Sequence, residues 1–337
     1  MVKKALPYVN PSLLGFGHCV ASSPTPARFM RTLALAATAA LARAPGVMAA
    51  LALFVALGGV ASPSATAAER YEFGLLWRIE GAQAPASHVF GTIHLGDPRV
   101  TRLPPAVARE LDRARSLTLE SGLDPAGVLT LANRMVFTDG RDLPGVAGAE
   151  LFGRAAQLTA GLGLPEPMLK LFKPWAVAML LSVPPQDPSS VLDLVLARRA
   201  AEQGKPVYEL ESMDEQVSAL EGMSEEAQLA LLRQAVDEYE RMPQHIGRVV
   251  DAYLARDLAR MWRIGQESAG RSDGERRLNE VLTQRLLHER NARMAERAEA
   301  RLREGGAFIA VGALHLYGAS GVLALLERRG WRVTRVY

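Results

Sequence analysis

Apolar and polar positions along this 337-residue chain fall into short β-type runs separated by longer helical stretches. Tyr71–Ile79 (YEFGLLWRI) and Ser87–Leu95 (SHVFGTIHL) read as strands, and the seven residues between them suit a hairpin connection. Pro104-Pro105 opens a short helix through Ala114, and Ser116–Ser121 (SLTLES) follows as a strand. Helical pattern runs from about Asp124 to Leu181, interrupted by Gly140–Gly148, Pro165 and Pro167. Ser190–Gln203 is an amphipathic helix stopped by Gly204, and Pro206–Glu211 (PVYELE) is another strand. Asp214–Leu302 is mostly helical, with a loop near Gly265–Gly274. Ala307–Leu316 (AFIAVGALHL) reads as a buried strand, Gly318–Arg329 as a helix and Trp331–Tyr337 as a closing strand. Continuous apolar strands alternating with helices predict an α/β fold, a mixed central sheet flanked by helices with a mostly helical insertion between the strands. No linker rich in Ser, Gly and Pro divides residues 68–337, so one domain is expected there.

Charge changes the picture at the N-terminus. The whole chain carries 39 basic and 36 acidic residues, a net +3 that would suit a polyanion partner. Residues 1–68 hold five of those bases (Lys3, Lys4, Arg28, Arg31 and Arg43) and no acid, which leaves 34 bases against 36 acids beyond them, a net −2. The basicity therefore belongs to a leader, expected over residues 1–67. Its densest apolar part, Gly46–Ala61, is shorter than the roughly 20 residues a spanning helix needs. Ala65-Thr66-Ala67 offers the small-x-small pattern of a signal-peptidase site, with cleavage before Ala68 or Glu69. The alternative is an uncleaved inner-membrane anchor over Leu33–Ala61, and Met30 or Met48 would be a more usual start. Cys19, the one cysteine, lies in the leader. A chain without it has neither thiol chemistry nor disulfides and suits an oxidising periplasmic or extracellular space.

Candidate chemistry lies in an echo. Gly91-Thr92-Ile93-His94-Leu95 and Gly312-Ala313-Leu314-His315-Leu316 each place a glycine three residues before a histidine near the end of an apolar strand. Alternation along a strand would turn that glycine and histidine to opposite sides. Ligands of α/β sheets bind outside strand ends, so the paired histidines are candidates for one shared site. Glu120 and Glu211 also end apolar strands, and each is followed by a serine. Capping or dipole pairing with a following helix is the plainer explanation, better suited to Glu211 than to Glu120. Two imidazoles with one or two carboxylates would make an N/O site for zinc, manganese, cobalt or a similar divalent ion, with positions left open for water.

FGTIHLGDP, LTLES, KPVYELESMDEQVSAL and ERNARMAERAEARLREGGAFIAVGALHLYGASGVLALLERRGW resemble the TraB/GumN family, which is related to the Tiki metalloproteases. The resemblance covers nearly all of the chain beyond the leader. It implies a metal-dependent hydrolase directed at peptides or proteins. His94 and His315 match its two GxxH histidines, Glu120 the acid after the first motif, Glu211 and Gln216 the LESMDEQ segment, and Arg290 and Asn291 the "eRN" pair. On this basis His94, His315 and one of the two glutamates, with Glu120 preferred, would hold the metal, and the other glutamate would serve as general base and then proton donor, with Asn291 also in the catalytic set. Arg290 would bind an oxyanion or a substrate carboxylate. Spacing alone would make Arg290 a solvated helix charge, since Arg285, Arg293 and Arg297 share its helix.

Other signals exclude more than they add. Glutamates interleave with the arginines of Arg290–Gly306, an ion-paired face rather than a nucleic-acid helix, and membrane contact is expected only through the leader. Neither a G-x-S-x-G elbow, a G-x-G-x-x-G loop nor a Walker lysine is present. Trp175, Trp262 and Trp331 sit in apolar surroundings and are expected in the core. Two other readings of the histidines stand beside the hydrolase: a non-catalytic binding protein for a peptide or haem, and an accessory protein of envelope polysaccharide assembly.

Overall fold

The structure, a computed structural model, describes residues 70–122, 125–184, 191–267 and 272–337. The leader, its cleavage site, the alternative anchor and Cys19 lie outside the described residues. Among the described residues no helix is long and apolar enough to cross a membrane.

Among the described residues six strands form one sheet: β1 (Leu76–Glu80), β2 (Ser87–Thr92), β3 (Ser116–Ser121), β4 (Val207–Glu211), β5 (Ala307–Gly312) and β6 (Arg332–Arg335). Their order is β4-β3-β5-β2-β1-β6. The first four in that order run parallel, while β1 pairs antiparallel with both β2 and β6. The mixed sheet is the one expected, with shorter strands. Tyr71 (φ 64°) and Gly74 (φ 122°) both take backbone angles that no strand allows, so β1 starts only at Leu76. The apolar run Ala307–Leu316 likewise leaves the sheet after Gly312 and closes into a 3₁₀ turn over Ala313–Leu316.

Helices fill the connections. Two, α1 (Pro98–Thr101) and α2 (Pro105–Arg113), join β2 to β3. Between β3 and β4 run α3 (Pro125–Arg134), α4 (Leu143–Ala147), α5 (Ala149–Ala160), α6 (Glu166–Leu169), α7 (Pro174–Leu181) and α8 (Leu192–Glu202). Between β4 and β5 come α9 (Met213–Glu221), α10 (Glu225–Glu238), α11 (Met242–Leu254), α12 (Leu258–Glu267), α13 (Asp273–Thr283) and α14 (Glu289–Glu304), and α15 (Val322–Arg328) precedes β6. The helical insertion is thus two blocks on either side of β4 in sequence. Local chemistry starts several of these helices where they start. Ser212 and Glu215 form a reciprocal capping box at α9, and Ser272 and Glu275 form another at α13.

The core follows from composition. Every residue of β5 is buried, as expected of a central parallel strand covered on both faces. Helix α7 (PWAVAMLL) is apolar all round and almost wholly buried, with Trp175 inside the core as anticipated; Trp262 and Trp331 are only half-buried against it. One close approach fixes how the two glycine–histidine segments meet. A Cβ on Gly91 would stand 3.0 Å from Ala313 Cα and 2.9 Å from Leu316 Cδ1, so only glycine lets the 3₁₀ turn rest on β2. The carbonyl of Gly91 accepts a 2.9 Å hydrogen bond from the buried Tyr253 hydroxyl on α11.

Two glycine substitutions should separate these roles. Gly91→Ala is expected to lower stability by about 1–3 kcal/mol, because backbone blocks the added methyl. Gly153→Ala, inside α5 with nothing within 4 Å of the new Cβ, should raise it by about 0.5–1 kcal/mol. Urea unfolding midpoints measure both.

Candidate active site

Topology places the candidate residues before any side-chain detail. Glu211 ends β4, Glu120 is the penultimate residue of β3, His315 follows β5 and His94 follows β2. These four strands are neighbours and parallel, so all four residues come to the same, carboxyl-terminal edge of the sheet.

Glu120 sits at the centre of the group. Its Oε2 lies 3.9 Å from His94 Nε2 and 3.7 Å from His315 Nε2, and it accepts the Gly312 N–H at 2.9 Å. The expectation that glycine and histidine face opposite ways fails at the second motif. Side chains at i and i+3 eclipse in a 3₁₀ turn, so Gly312 and His315 share a side. The missing Gly312 side chain leaves a space bounded by His315 Cδ2, Glu120 Oε2 and His94 Nε2, at 3.2, 3.4 and 3.7 Å from where its Cβ would be.

Each imidazole is gripped by its other nitrogen. His315 Nδ1 is 2.6 Å from Asn291 Oδ1, and Asn291 Nδ2 donates to the Ser320 carbonyl at 2.9 Å. That second bond fixes which end of the amide faces the ring, so His315 Nδ1 is the protonated nitrogen and Nε2 carries the lone pair. His315 Nε2 is buried and has no hydrogen-bond partner among the described residues. His94 Nδ1 is 2.7 Å from Asp193 Oδ2. Burial pushes His94 down, but the Asp193 carboxylate, reinforced by Glu120, overcomes this and raises it to about 9. Burial pushes His315 down to about 3, and Glu120 offsets only part of that.

Arg290 corrects two expectations. It is neither solvated nor open to a substrate: it is fully buried, with Nε donating to Glu211 Oε2 at 2.8 Å and Nη2 to Glu120 Oε1. Glu211 Oε1 accepts from Arg293 Nη2 at 2.8 Å, so both Glu211 oxygens are held by arginines. Ser212, not Glu211, caps the following helix. Burial works against the Glu120 anion, but Arg290, the two imidazoles and the Gly312 N–H together hold its carboxyl well below the ordinary range. Gln216, on α9, adds a 3.3 Å bond to Glu120 Oε1.

Asp193 and Thr92 were not singled out from the sequence. Thr92 Oγ1 donates to Asp193 Oδ1 at 3.0 Å, and the other oxygen of that carboxylate is the one paired with His94. The available signal was a lone acid within the apolar run VLDLVLA.

Residues 75–335 match the TraB/PrgY/gumN family. The chain belongs to it. Among relatives of this TraB/PrgY/gumN chain are "Metalloprotease TIKI2" of Danio rerio, 26% identical over 312 residues (77% of this chain, 60% of the relative), and "Metalloprotease TIKI1" of Homo sapiens, 26% over 311 residues (77% and 61%). "Uncharacterized protein YbaP" of Shigella flexneri is 24% identical over 246 residues (72% and 88%). The chain thus spans about three-fifths of the TIKI relatives it matches. No solved structure matches.

The TraB/PrgY/gumN site can be tested against a metal. Among the described residues, no group of three or more His, Cys, Asp or Glu is close enough to hold an ion as it stands. Tetrahedral donors about 2.1 Å from zinc stand about 3.4 Å apart, against 3.9 and 3.7 Å here. The unpartnered His315 Nε2, the Gly312 space and the gripped Nδ1 atoms all fit a divalent ion.

Arg290→Met should cost about 3–5 kcal/mol at pH 7, because it strands buried carboxylates without counter-charge. The sign follows from Glu120. Its lowered pKa stabilises the wild type above the usual carboxylate range, and that contribution is lost as pH falls. Without Arg290 the carboxyl takes a proton at higher pH, so the deficit of the variant should shrink on acidification. Urea unfolding at pH 7 and pH 5 measures it.

Proposed function

We propose that this TraB/PrgY/gumN protein is an exported metal-dependent hydrolase acting on peptide bonds, with its ion held by His94 Nε2, His315 Nε2 and Glu120 Oε2. The observation that carries the reading is the convergence of both buried Nε2 atoms on one carboxylate oxygen, each imidazole being held through Nδ1. The printed names of the TIKI relatives support the protease class. A bound divalent ion, manganese, zinc or cobalt, would supply Lewis acidity towards the scissile carbonyl and a water that ionises near neutral pH.

The chain's own residues do the rest. Arg290 and the Gly312 N–H keep Glu120 anionic, so it offers charge rather than a proton. Glu211 and Arg293 hold Arg290 in place, and Asn291 aims His315. Glu211, Arg290 and Asn291 therefore act through other residues rather than on substrate. The acid-free leader carries the proposal of a periplasmic or secreted location, with an inner-membrane anchor as its alternative.

Elemental analysis of the purified protein should find about one divalent ion per chain. His94→Ala and His315→Ala should each lose most of it while remaining folded by circular dichroism. Gly312→Ala, whose methyl would occupy the space between the donors, should weaken binding without unfolding the chain. A peptide-library cleavage profile should vanish with chelator and return with added ion. Full metal retention by both histidine variants would sink the metal assignment. A bound ion with no cleavage of any peptide would leave the binding-protein reading instead.

A further inference from the structure

His94 and His315 are held by chemically different partners. Asn291 is neutral, and both ends of its amide are engaged. Asp193 is a carboxylate in the first turn of α8, where the helix dipole favours negative charge. Its two oxygens are divided between Thr92 and His94, residues two apart on the segment that ends β2. The start of α8 is itself tied down, since Leu192 N–H donates to the Leu95 carbonyl at 3.3 Å. Thr92 is buried, and the Asp193 side chain is only 13% exposed. A short strand end and a helix start therefore place the Asp193 carboxylate against the rear nitrogen of His94.

We infer that Asp193, braced by Thr92, is a positioning residue for the ion site, locking the His94 ring so that Nε2 faces Glu120 and His315. This rests on the metal reading above and adds a residue to it. A hydrogen bond to the rear nitrogen of a ligating imidazole fixes its tautomer and orientation, and removing such a partner costs about 10–100-fold in metal affinity. Asparagine at 193 keeps an acceptor for Nδ1–H and loses the charge, so it should recover part of what alanine loses. Thr92→Val leaves the carboxylate but frees one of its oxygens, and its effect should be the smallest.

The test uses cobalt(II) as probe on the purified wild type, Asp193→Ala, Asp193→Asn and Thr92→Val. Affinity is read by competition with a chromophoric chelator, and ligand geometry by the visible cobalt spectrum. A thermal melt checks folding. The His94 Nδ1–H proton is followed by NMR in metal-free protein. The expected result is about 10–100-fold weaker cobalt binding and an altered spectrum for Asp193→Ala, with partial rescue in Asp193→Asn. Unchanged affinity and spectrum in Asp193→Ala, whatever happens to its melting temperature, would overturn the inference. If Asp193→Ala does not fold, Thr92→Val decides by the same two readouts. Should the wild type bind no cobalt, the metal reading fails by itself and the NMR signal becomes the test. A protected Nδ1–H present in the wild type and lost in Asp193→Ala then supports the lock, and one that survives the substitution overturns it.

Discussion

A guanidinium sealed from water has to find its counter-charges inside the protein, and Arg290 finds two. It links Glu120 at the end of β3 to Glu211 at the end of β4 and hangs from the first turn of α14. Such a buried triad is a poor source of net stability, because desolvating the three charges consumes most of what their attraction returns. What it supplies is direction. A carboxylate at a strand end could adopt several rotamers, but Arg290 and Gln216 occupy Oε1 and the Gly312 N–H occupies Oε2. The remaining face of Oε2 is turned towards the imidazoles.

Around that anchor, the two glycine–histidine segments turn out to be alike in sequence and unlike in use. Gly91 is bare so that the partner segment can lie against it. Gly312 is bare, and the missing side chain leaves the space beside His94, His315 and Glu120 clear. His94 follows its strand in an open loop, whereas His315 is carried by a 3₁₀ turn. The symmetry visible in the sequence is a symmetry of spacing, and the sheet converts it into two different jobs.

Much of the architecture was legible in the sequence because parallel strands need continuous apolar runs and helices need caps and periodicity. The residues gathered at the sheet edge could also be picked out, since a carboxylate or imidazole at the end of an apolar run is conspicuous. Distances were not legible. Nothing in LESMDEQ or ERNARM says that Arg290 reaches Glu120 and Glu211 rather than a substrate, because that depends on how close α14 lies to two strand ends. Asp193 was hidden for a related reason. An acid in the first turn of an amphipathic helix is what capping alone would produce, and only the docking of α8 beside β2 gives it an imidazole. The 3₁₀ turn at His315 escaped because AFIAVGALHL stays apolar past the point where the backbone leaves the sheet.

Helices α13 and α14 run on through a π turn at Gln284–His288, directly ahead of Arg290 and Asn291. Within it the Glu289 N–H reaches back to the Gln284 carbonyl, and the Leu286 carbonyl accepts from the Arg290 guanidinium at 3.4 Å. Neighbouring residues on a helix point about 100° apart. That is the divergence needed for Arg290 to face the carboxylates while Asn291 faces His315. A slip of one position would hand each task to the wrong side chain. Upstream, α13 buries Leu278 and Leu282 in the core; downstream, α14 buries Arg290, Asn291, Met294, Ala295 and Ala298. One rod with a single uniform phase would have to satisfy both sets of contacts at once. The widened turn acts as a phase shifter between them, setting the buried face of α13 and the buried face of α14 at different angles about one rod.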